Sequence, residues 1–381
     1  MTRRSATTNQ RHDEGAPPVV PPRQALLDWY DKNRRHLPWR ALPGQVPDPY
    51  AVWLSEIMLQ QTTVATVTPR YQQFLDRWPR VEDLAAAPLD DVLGEWAGLG
   101  YYARARNLHA CAKALVERFD GHFPDNAKDL ATLPGIGAYS SASISAIAFD
   151  KPATVVDGNV ERIVARLNAI TDPLPGIKPH LKHLSEPLFM GEDQSRPGDF
   201  AQAMMDLGAT VCVPARPKCE QCPWADHCQA RAEGIAETLP RKVKKTGKPH
   251  RYGIHYWVVD EQGRVLFHRR PEEGLLGGML ELPTKAWTAG KRAPDFEAQL
   301  AKQAWFRGDW HLLPGVVTHS FSHFDLTVRI AVASRVEALP VDDPAGEWRW
   351  VSVDDFDNAA LPSVTAKMVR HAMAAMAERA A

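Results

Sequence analysis

Long apolar runs are absent from this chain of 381 residues, and no stretch approaches the length needed to cross a membrane. The first residues, MTRRSATTNQRHDEGAPPVVPPRQ, also lack the apolar segment of a secretory signal peptide. We therefore expect a protein of the cytoplasm with no membrane attachment. Residues 1–22 are polar and rich in proline, which predicts a disordered tail.

A strong excess of either charge is missing as well, because 45 basic and 46 acidic side chains give a formal net charge of −1. Taken alone, this balance argues against a nucleic-acid partner, although a partner responds to local potential and not to the total. One local excess lies between Leu239 and Arg251, where the chain holds several basic residues and no acidic one. We interpret residues 231–251 as a basic linker, and the alternative is a solvated segment without a partner.

Cysteine is scarce, and four of the five cysteines fall within one loop, residues 212–228. Cys212, Cys219, Cys222 and Cys228 are separated by six, two and five residues. This grouping predicts a metal site, and a structural disulfide is disfavoured because nothing marks the chain as secreted. Zinc and an iron–sulfur cluster both remain open, and a single CxxC pair with longer arms favours a 4Fe-4S cluster. Cys111 stands alone in a helical pattern and is expected to be a small buried side chain.

The hydrophobic pattern changes period near the basic linker. Residues 23–230 repeat apolar positions every three or four residues, as in LHACAKALVERF, which predicts an all-α domain. Residues 252–381 predict an α+β domain: IHYWVV and RVLFHRR form a hairpin around Asp260–Gly263, LTVRIAVASRV and EWRWVSV form further strands, and a helix covers 363–378. We therefore expect a multi-domain protein.

Residues 127–148 predict two helices joined by a glycine-containing turn. In LATLPGIGAYSSASISAIAF the first helix should end near Leu133 and the second should start near Tyr139. Gly135 and Gly137 would let the backbone approach a ligand, and the free amides of the turn and helix start would bind an anion such as a DNA phosphate. Glycine pairs are common in helical turns, so a purely structural turn is the alternative.

These motifs together resemble a known superfamily. LPGIG, VVDGNV and the cysteine spacing are similar to the helix-hairpin-helix, iron–sulfur DNA glycosylases. WLSEIMLQQT, GLGYYARARNLH, QAMMDLGATVC and FSHF resemble the adenine DNA glycosylases of the MutY family, from about Leu26 to the end of the chain. The resemblance implies a 4Fe-4S cofactor with a structural role, and removal of adenine mispaired with 8-oxoguanine or guanine in double-stranded DNA. It also implies a monomer that works at the bacterial nucleoid.

Glu56 is the first candidate catalytic residue. Its spacing places it on one helical face with Trp53 and Gln60, among apolar neighbours. Burial there would raise the pKa of its carboxyl group and keep it protonated, as a general acid must be. A solvent-facing glutamate is the alternative. The resemblance implies that Glu56 protonates N7 of adenine and then helps to activate water.

Asp157 is the second candidate, in TVVDGNVERI. An aspartate at this position is explained by helix N-capping alone. The resemblance implies that Asp157 stabilises the oxocarbenium-like sugar after the base leaves, with Asn159 orienting the site. Hydrolysis of a glycosidic bond uses one protonated and one ionised carboxyl group, which Glu56 and Asp157 would supply.

Position 139 bears on the type of reaction. Relatives that also cut the DNA backbone carry a Schiff-base lysine there, whereas this chain has Tyr139. The resemblance therefore implies a monofunctional glycosylase that leaves an abasic site, with Tyr139 supporting the catalytic acid.

Chemistry on a paired base requires that the nucleotide leave the duplex. By position in the family motifs, the adenine pocket would be lined by Trp39, Arg40, Leu59, Val64 and Gln202. Gln61 and Tyr101 would insert into the base stack around the partner purine. Packing roles are the alternative for Trp39, Tyr101 and Tyr102, and a surface role for Gln61.

The C-terminal domain resembles Nudix hydrolases, and GLLGGMLELP is similar to the start of their catalytic region. No REXXEE sequence follows Pro283, so the carboxylates that would bind magnesium are missing. The resemblance implies that this domain reads the oxidised guanine through Phe321, Ser322 and His323. Leu276 stands where many relatives have tryptophan.

Three other functions are compatible with parts of this pattern. An endonuclease III-like glycosylase with lyase activity would need a Schiff-base lysine. A mismatch-binding protein without catalysis would have no need of Glu56. A Nudix hydrolase of oxidised nucleotides would need the missing carboxylates.

Overall fold

A computed structural model describes residues 17–243, 247–271, 274–303, 307–337, 348–356, 359 and 361–380. The predicted disordered tail falls mostly on residues 1–16, outside this range, as do Lys244 and Lys245 of the basic linker. Residues 17–22 are extended chain, and the amide of Val19 donates a hydrogen bond of 2.8 Å to Asn168 Oδ1.

The first part of the chain is helical, as its period predicts. Its helices are α1 (Arg23–Asn33), α2 (Pro49–Met58), α3 (Val64–Arg77), α4 (Val81–Ala86), α5 (Leu89–Glu95), α6 (Ala103–Phe119), α7 (Ala127–Leu130), α8 (Ala138–Phe149), α9 (Gly158–Leu167), α10 (Lys178–Met190), α11 (Pro197–Thr210) and α12 (Gln229–Ala232). None of the helices in the described segments is long and apolar enough to cross a membrane.

The second part is an α+β arrangement, again as predicted. Its elements are β1 (His250–Trp257), β2 (Val265–Arg269), β3 (Leu280–Glu281), β4 (Thr288–Ala289), α13 (Phe296–Gln303), β5 (Arg307–Leu312), β6 (Val317–Ser320), β7 (Asp325–Glu337), β8 (Trp348–Val351) and α14 (Ser363–Ala380).

Contacts divide the chain into two units. Unit 1 comprises Met1–Val52, Pro124–Thr132 and Ile136–Lys244, and unit 2 comprises Trp53–Phe123, Leu133–Gly135 and Lys245–Ala381. The domain boundaries predicted from the sequence stay predictions.

Unit 1 has a helical core centred on α9 and α11. Val160, Ile163, Val164 and Leu167 recur at helical spacing on α9 and are at most 3% exposed. They pack in one cluster with Leu181 of α10 and with Phe200, Met204 and Leu207 of α11. Burying this stripe supplies most of the free energy that holds α9 in place, because isolated helices of this length are marginal in water.

Unit 2 contains helices that pack around α6. Leu108, Cys111, Ala112 and Leu115 form the buried stripe of this helix. Cys111 is fully buried, as predicted, and burial raises the pKa of its thiol to about 12.

The β-sheets of unit 2 lie between two helices. The larger sheet has the order β4-β1-β7-β5, with β6 paired to β7, and β1 runs parallel to β7; the smaller sheet has the order β3-β2-β8. Leu326, Val328 and Ile330 of β7 pack in one core with α14. Tyr252, Ile254 and Tyr256 of β1 pack in a second core with Phe296 and Leu300 of α13.

Two local predictions differ from the structure. β1 and β2 were expected to form a hairpin, but only their ends meet, at the Val259–Val265 bridge, before the strands enter different sheets. The reason is that β1 already has β4 and β7 as neighbours, so both of its edges are occupied. The first helix of the glycine turn ends at Leu130 and the second begins at Ala138.

Candidate functional site

Glu56 lies on α2 and is 8% exposed, between Ser55 and Ile57, which are also buried. The carboxyl group is therefore buried and not solvent-facing, while its apolar surroundings stay a prediction. The helix ends at Met58, so Gln60 lies in the following turn and not on the helical face predicted from the spacing. Trp53 and Gln60 nevertheless line the same small cavity.

Asp157 is the N-cap of α9 and is half-buried. Its Oδ1 atom accepts hydrogen bonds of 2.8 Å from the backbone amides of Asn159 and Val160. Its Oδ2 atom accepts a bond of 2.8 Å from the side-chain amide of Asn159. The predicted capping role is present, and the same bonds fix the orientation of the carboxylate.

Arg162 holds the other end of the Asn159 side chain, because it bonds the amide oxygen while Asp157 bonds the amide nitrogen. Its Nη2 atom donates to Asn159 Oδ1 and to the carbonyl oxygen of Gly208, each at 2.7 Å. Its Nε atom donates to the carbonyl oxygen of Cys212 at 2.7 Å. Gly208 has no side chain to obstruct Asn159, since an added Cβ would lie 2.5 Å from the Asn159 Cβ.

Tyr139 is the second residue of α8 and is half-buried, with its hydroxyl 4.0 Å from the sulfur of Met205. Gly137 is the N-cap of this helix, and an added Cβ there would meet nothing within 4 Å. Gly135 has φ of +74°, and a Cβ there would lie 2.6 Å from that of Asn107. Position 135 therefore requires glycine, whereas position 137 has room for a side chain beside the start of the helix.

Trp39 and Gln202 line one cleft of about 640 Å³ in unit 1. Both are 8% exposed, and Gln202 Nε2 donates to the carbonyl oxygen of Gly198 at 3.3 Å. The structure thus brings together two of the residues predicted for the adenine pocket.

Arg40 is held by Asp206, a residue that the sequence analysis did not single out. Asp206 is fully buried, and its carboxylate accepts hydrogen bonds from Arg40 Nη1 at 2.7 Å and from Arg40 Nη2 at 2.8 Å. Arg35 Nε also donates to it, at 2.6 Å. Burial opposes ionisation of Asp206, but the bonds and charges of these arginines outweigh it and lower its pKa. A carboxylate within the apolar helix QAMMDLG was the available signal, since a buried charge needs a partner.

Gln61 and Tyr101, the predicted wedge residues, are exposed and adopt left-handed backbone conformations, with φ of 58° and 47°. Leu59 and Val64 flank Gln61 and are half-buried. Tyr102 is only 5% exposed, whereas Tyr101 is 49% exposed. The packing alternative therefore describes Tyr102 and not Tyr101.

The loop Phe321–His323 connects β6 to β7. The amide of Phe321 donates to the carbonyl oxygen of Phe324 at 2.9 Å, which leaves Ser322 and His323 exposed at the tip. The rings of Trp287, Phe321 and Phe324 pack beneath it, with centroid distances of 4.7 to 6.0 Å. The Ser322 hydroxyl forms a hydrogen bond with the hydroxyl of Tyr101.

The predicted site residues are shared between the two units. Unit 1 contains Trp39, Arg40, Gly137, Tyr139, Asp157, Asn159 and Gln202. Unit 2 contains Glu56, Leu59, Gln61, Val64, Tyr101, Gly135, Phe321, Ser322 and His323. The joint action of Glu56 and Asp157 on one bond stays a prediction.

The four clustered cysteines line one cavity, together with Arg166 and Ala236. Arg166 Nη1 lies 3.2 Å from Cys212 Sγ, and burial raises the pKa of Cys222 to about 12. Within the described residues, no three or more His, Cys, Asp or Glu side chains are grouped as ligands of one ion. Four thiols that line one cavity are a ligand set that suits either a tetrahedral zinc ion or a 4Fe-4S cluster.

Comparison with known proteins agrees with this arrangement. Residues 54–186 match the HhH-GPD superfamily of base excision DNA repair proteins, and residues 255–371 match the NUDIX domain. The adenine DNA glycosylase of Homo sapiens is 36% identical over 404 residues, which cover 91% of this chain and 73% of the human protein. The adenine DNA glycosylase of Mus musculus is 36% identical over 406 residues, and the match covers 91% of this chain and 77% of the mouse protein.

Among solved structures, a thermostable thymine-DNA glycosylase superposes with a TM-score of 0.48 at 29% identity and covers 55% of this chain and 95% of its own. A TM-score at this level has no bearing on function. The identity to adenine DNA glycosylases extends through both the helical and the Nudix-like parts. The chain therefore belongs to the adenine DNA glycosylase family.

Proposed function

We propose that this enzyme is a monofunctional glycosylase that removes adenine opposite 8-oxoguanine and, less strongly, opposite guanine. The observation that carries this specificity is the hydrogen bond between Tyr101 and Ser322. It joins the predicted wedge residue to the predicted lesion-reading loop within unit 2. The linked pair Tyr101 and Ser322 can thus both enter the base stack, through Tyr101, and contact the partner purine, through Ser322.

The chemistry of the lesion fits a serine held in this way. Oxidation of guanine at C8 changes N7 from a hydrogen-bond acceptor into an N–H donor. When the Ser322 hydroxyl donates to Tyr101, only its oxygen lone pairs remain for the purine. Lone pairs accept from the N7–H of 8-oxoguanine and repel the N7 of guanine.

The excision step is assigned to two carboxyl groups. Glu56, buried on α2, protonates N7 of adenine, so the glycosidic bond breaks and the base leaves as neutral adenine. Asp157, oriented by three hydrogen bonds, stabilises the positive sugar, and Asn159 is one of its partners. Water then adds to C1′ of the sugar and gives one proton to the Glu56 carboxylate, which leaves an abasic site and restores the acid.

Other residues bind the extruded base and the DNA. Trp39 and Gln202 line one cleft and are proposed to contact the adenine. Arg40, Leu59 and Val64 are proposed as further contacts of the base. Gln61 and Tyr101 fill the space left in the stack. The amides near Gly135 and Gly137, at the start of α8, bind a backbone phosphate. Tyr139 offers no amine, so strand cleavage through a Schiff base is not expected at this position.

The proposed cofactor is a 4Fe-4S cluster held by Cys212, Cys219, Cys222 and Cys228. It would crosslink the loop that carries Arg216 and Lys218, which are proposed to contact the DNA backbone. The iron and acid-labile sulfide content of the purified protein tests this assignment. Four of each per chain support it, whereas a single zinc ion contradicts it. The enzyme is proposed to act as a monomer on duplex DNA in the nucleoid.

The experiment that tests the function compares duplexes that differ only in the base opposite adenine. Single-turnover excision should be fastest with 8-oxoguanine, slower with guanine and undetectable with thymine. Borohydride treatment of the reaction should trap no covalent complex. Equal rates for all partners, or a trapped complex, would contradict the proposal.

A further inference from the structure

Arg104 lies at the start of α6 and reaches the end of the helix that carries Glu56. Its Nη1 atom donates to the carbonyl oxygens of Ile57 at 3.0 Å and Met58 at 2.9 Å. These are the last two residues of α2, and their carbonyls form the negative end of its dipole. A guanidinium there ends the helix and fixes the direction in which the chain leaves it.

The same guanidinium holds both loops that present the proposed wedge residues. Its Nη2 atom donates to Thr62 Oγ1 at 3.0 Å, and to the carbonyl oxygens of Leu99 at 2.7 Å and Gly100 at 3.1 Å. Thr62 directly follows Gln61, and Gly100 directly precedes Tyr101. Both wedge residues have a positive φ, a conformation that side chains adopt only when their surroundings enforce it.

The surroundings of Arg104 keep it in one geometry. The face of the guanidinium lies 5.1 Å from the ring centroid of Trp96. Burial lowers its pKa to about 10, so it is charged at neutral pH. The five acceptors named above are uncharged oxygens, so the planar geometry of the guanidinium determines how these groups are arranged.

We infer that Arg104 is a positioning residue that ties the Glu56 helix to both base-stack wedges, so that wedge insertion and placement of the catalytic acid occur together. This inference rests on the proposed roles of Glu56, Gln61 and Tyr101. It predicts that weakening Arg104 lowers extrusion of adenine and its excision, with little effect on overall DNA affinity.

The test uses Arg104→Lys and Thr62→Val in the full-length protein. Lysine keeps the charge but lacks the fork, and valine removes one acceptor at nearly constant shape. Leu115→Ala is the matched control, because Leu115 is fully buried on the same helix and is not among the partners of Arg104. Single-turnover excision is measured below the unfolding temperature of every variant. Extrusion is followed by 2-aminopurine placed beside the target adenine, in a Glu56→Gln background.

Arg104→Lys is expected to slow excision on the order of 10- to 100-fold and to reduce the 2-aminopurine signal, while duplex affinity changes less than about 3-fold. Thr62→Val should slow excision about 5-fold, and the double variant should lose less than the product of the two, because they share one interaction. Leu115→Ala should keep the wild-type rate. Rates for Arg104→Lys or, if that variant does not fold, Thr62→Val that equal the Leu115→Ala rate would overturn the inference.

Excision by the wild-type protein distinguishes failure of the proposed function from failure of the inference about Arg104. If it removes no adenine, the proposed function fails. The 2-aminopurine signal of the Glu56→Gln protein still tests Arg104, since it requires binding but no excision.

Discussion

The Oδ2 atom of Asp157 accepts a hydrogen bond of 2.8 Å from the side-chain amide of Asn159, while its Oδ1 atom caps α9. The two oxygens of one carboxylate therefore have separate partners. This makes it possible to separate the contribution of Asp157 to helix stability from its charge.

Asp157→Asn tests that separation. Asparagine caps helices about as well as aspartate, so the free energy of unfolding should change by less than about 1 kcal/mol. The negative charge beside the sugar is lost, so the excision rate should fall on the order of 100-fold or more. Thermal unfolding and single-turnover excision measure the two effects. A stable variant with the wild-type rate would show that Asp157 is a cap and nothing more.

Tyr101→Phe tests the proposed selection by Ser322. The variant keeps the ring that enters the stack and removes the hydroxyl that pairs with Ser322. Ser322 would then be free to donate to the N7 of guanine as well as to accept from 8-oxoguanine. The preference for 8-oxoguanine over guanine should fall about 10-fold, as expected for one hydrogen bond that distinguishes two bases. An unchanged ratio of excision rates would remove Tyr101 from the selection.

Trp287→Phe tests whether the aromatic rings beneath the loop set its conformation. Trp287 Nε1 donates to His255 Nε2 at 3.1 Å, and its ring packs 6.0 Å from that of Phe321. The phenylalanine variant loses the donor, so the preference for 8-oxoguanine should weaken about 5-fold. Binding of the two duplexes is measured in the Glu56→Gln background. Trp310→Phe, a half-buried tryptophan against Tyr256, serves as control and should keep the preference; equal losses in both variants would mean general destabilisation.

His255 should make unfolding depend on pH. Burial lowers its pKa, whereas in the unfolded chain the value returns to about 6.5. Between these values the unfolded chain binds one more proton than the folded one. The stabilisation is therefore complete above about pH 6.5 and is lost as the pH falls, by up to about 1.4 kcal/mol per pH unit. Thermal unfolding of His255→Gln should show a smaller slope in this window than wild type, and an equal slope would contradict this role of His255.

The sequence predicts the features that are local in the chain. The helical period predicts the buried stripe of α6 with Cys111, and alternation predicts β7, whose residues Leu326, Val328 and Ile330 face one core. The cysteine spacing predicts that all four thiols line one cavity. Each of these follows from neighbours within a few turns or from one short loop.

The features that the sequence did not predict depend on distant partners. β1 pairs in parallel with β7, about 75 residues later, and the contact between β1 and β2 is limited to the bridge at Val259 and Val265. Asp206 meets Arg40 across 166 residues, and Arg104 donates to the carbonyl oxygen of Ile57 across 47 residues. No spacing rule connects such residues, because their proximity is set by how whole helices and strands pack.

The role of Glu56 as the acid that protonates adenine is tested by excision with Glu56→Gln on a duplex with adenine opposite 8-oxoguanine. We predict that the variant binds this duplex with nearly wild-type affinity and removes no adenine, because glutamine cannot protonate N7 of the base. Excision at the wild-type rate by a folded Glu56→Gln protein would contradict it.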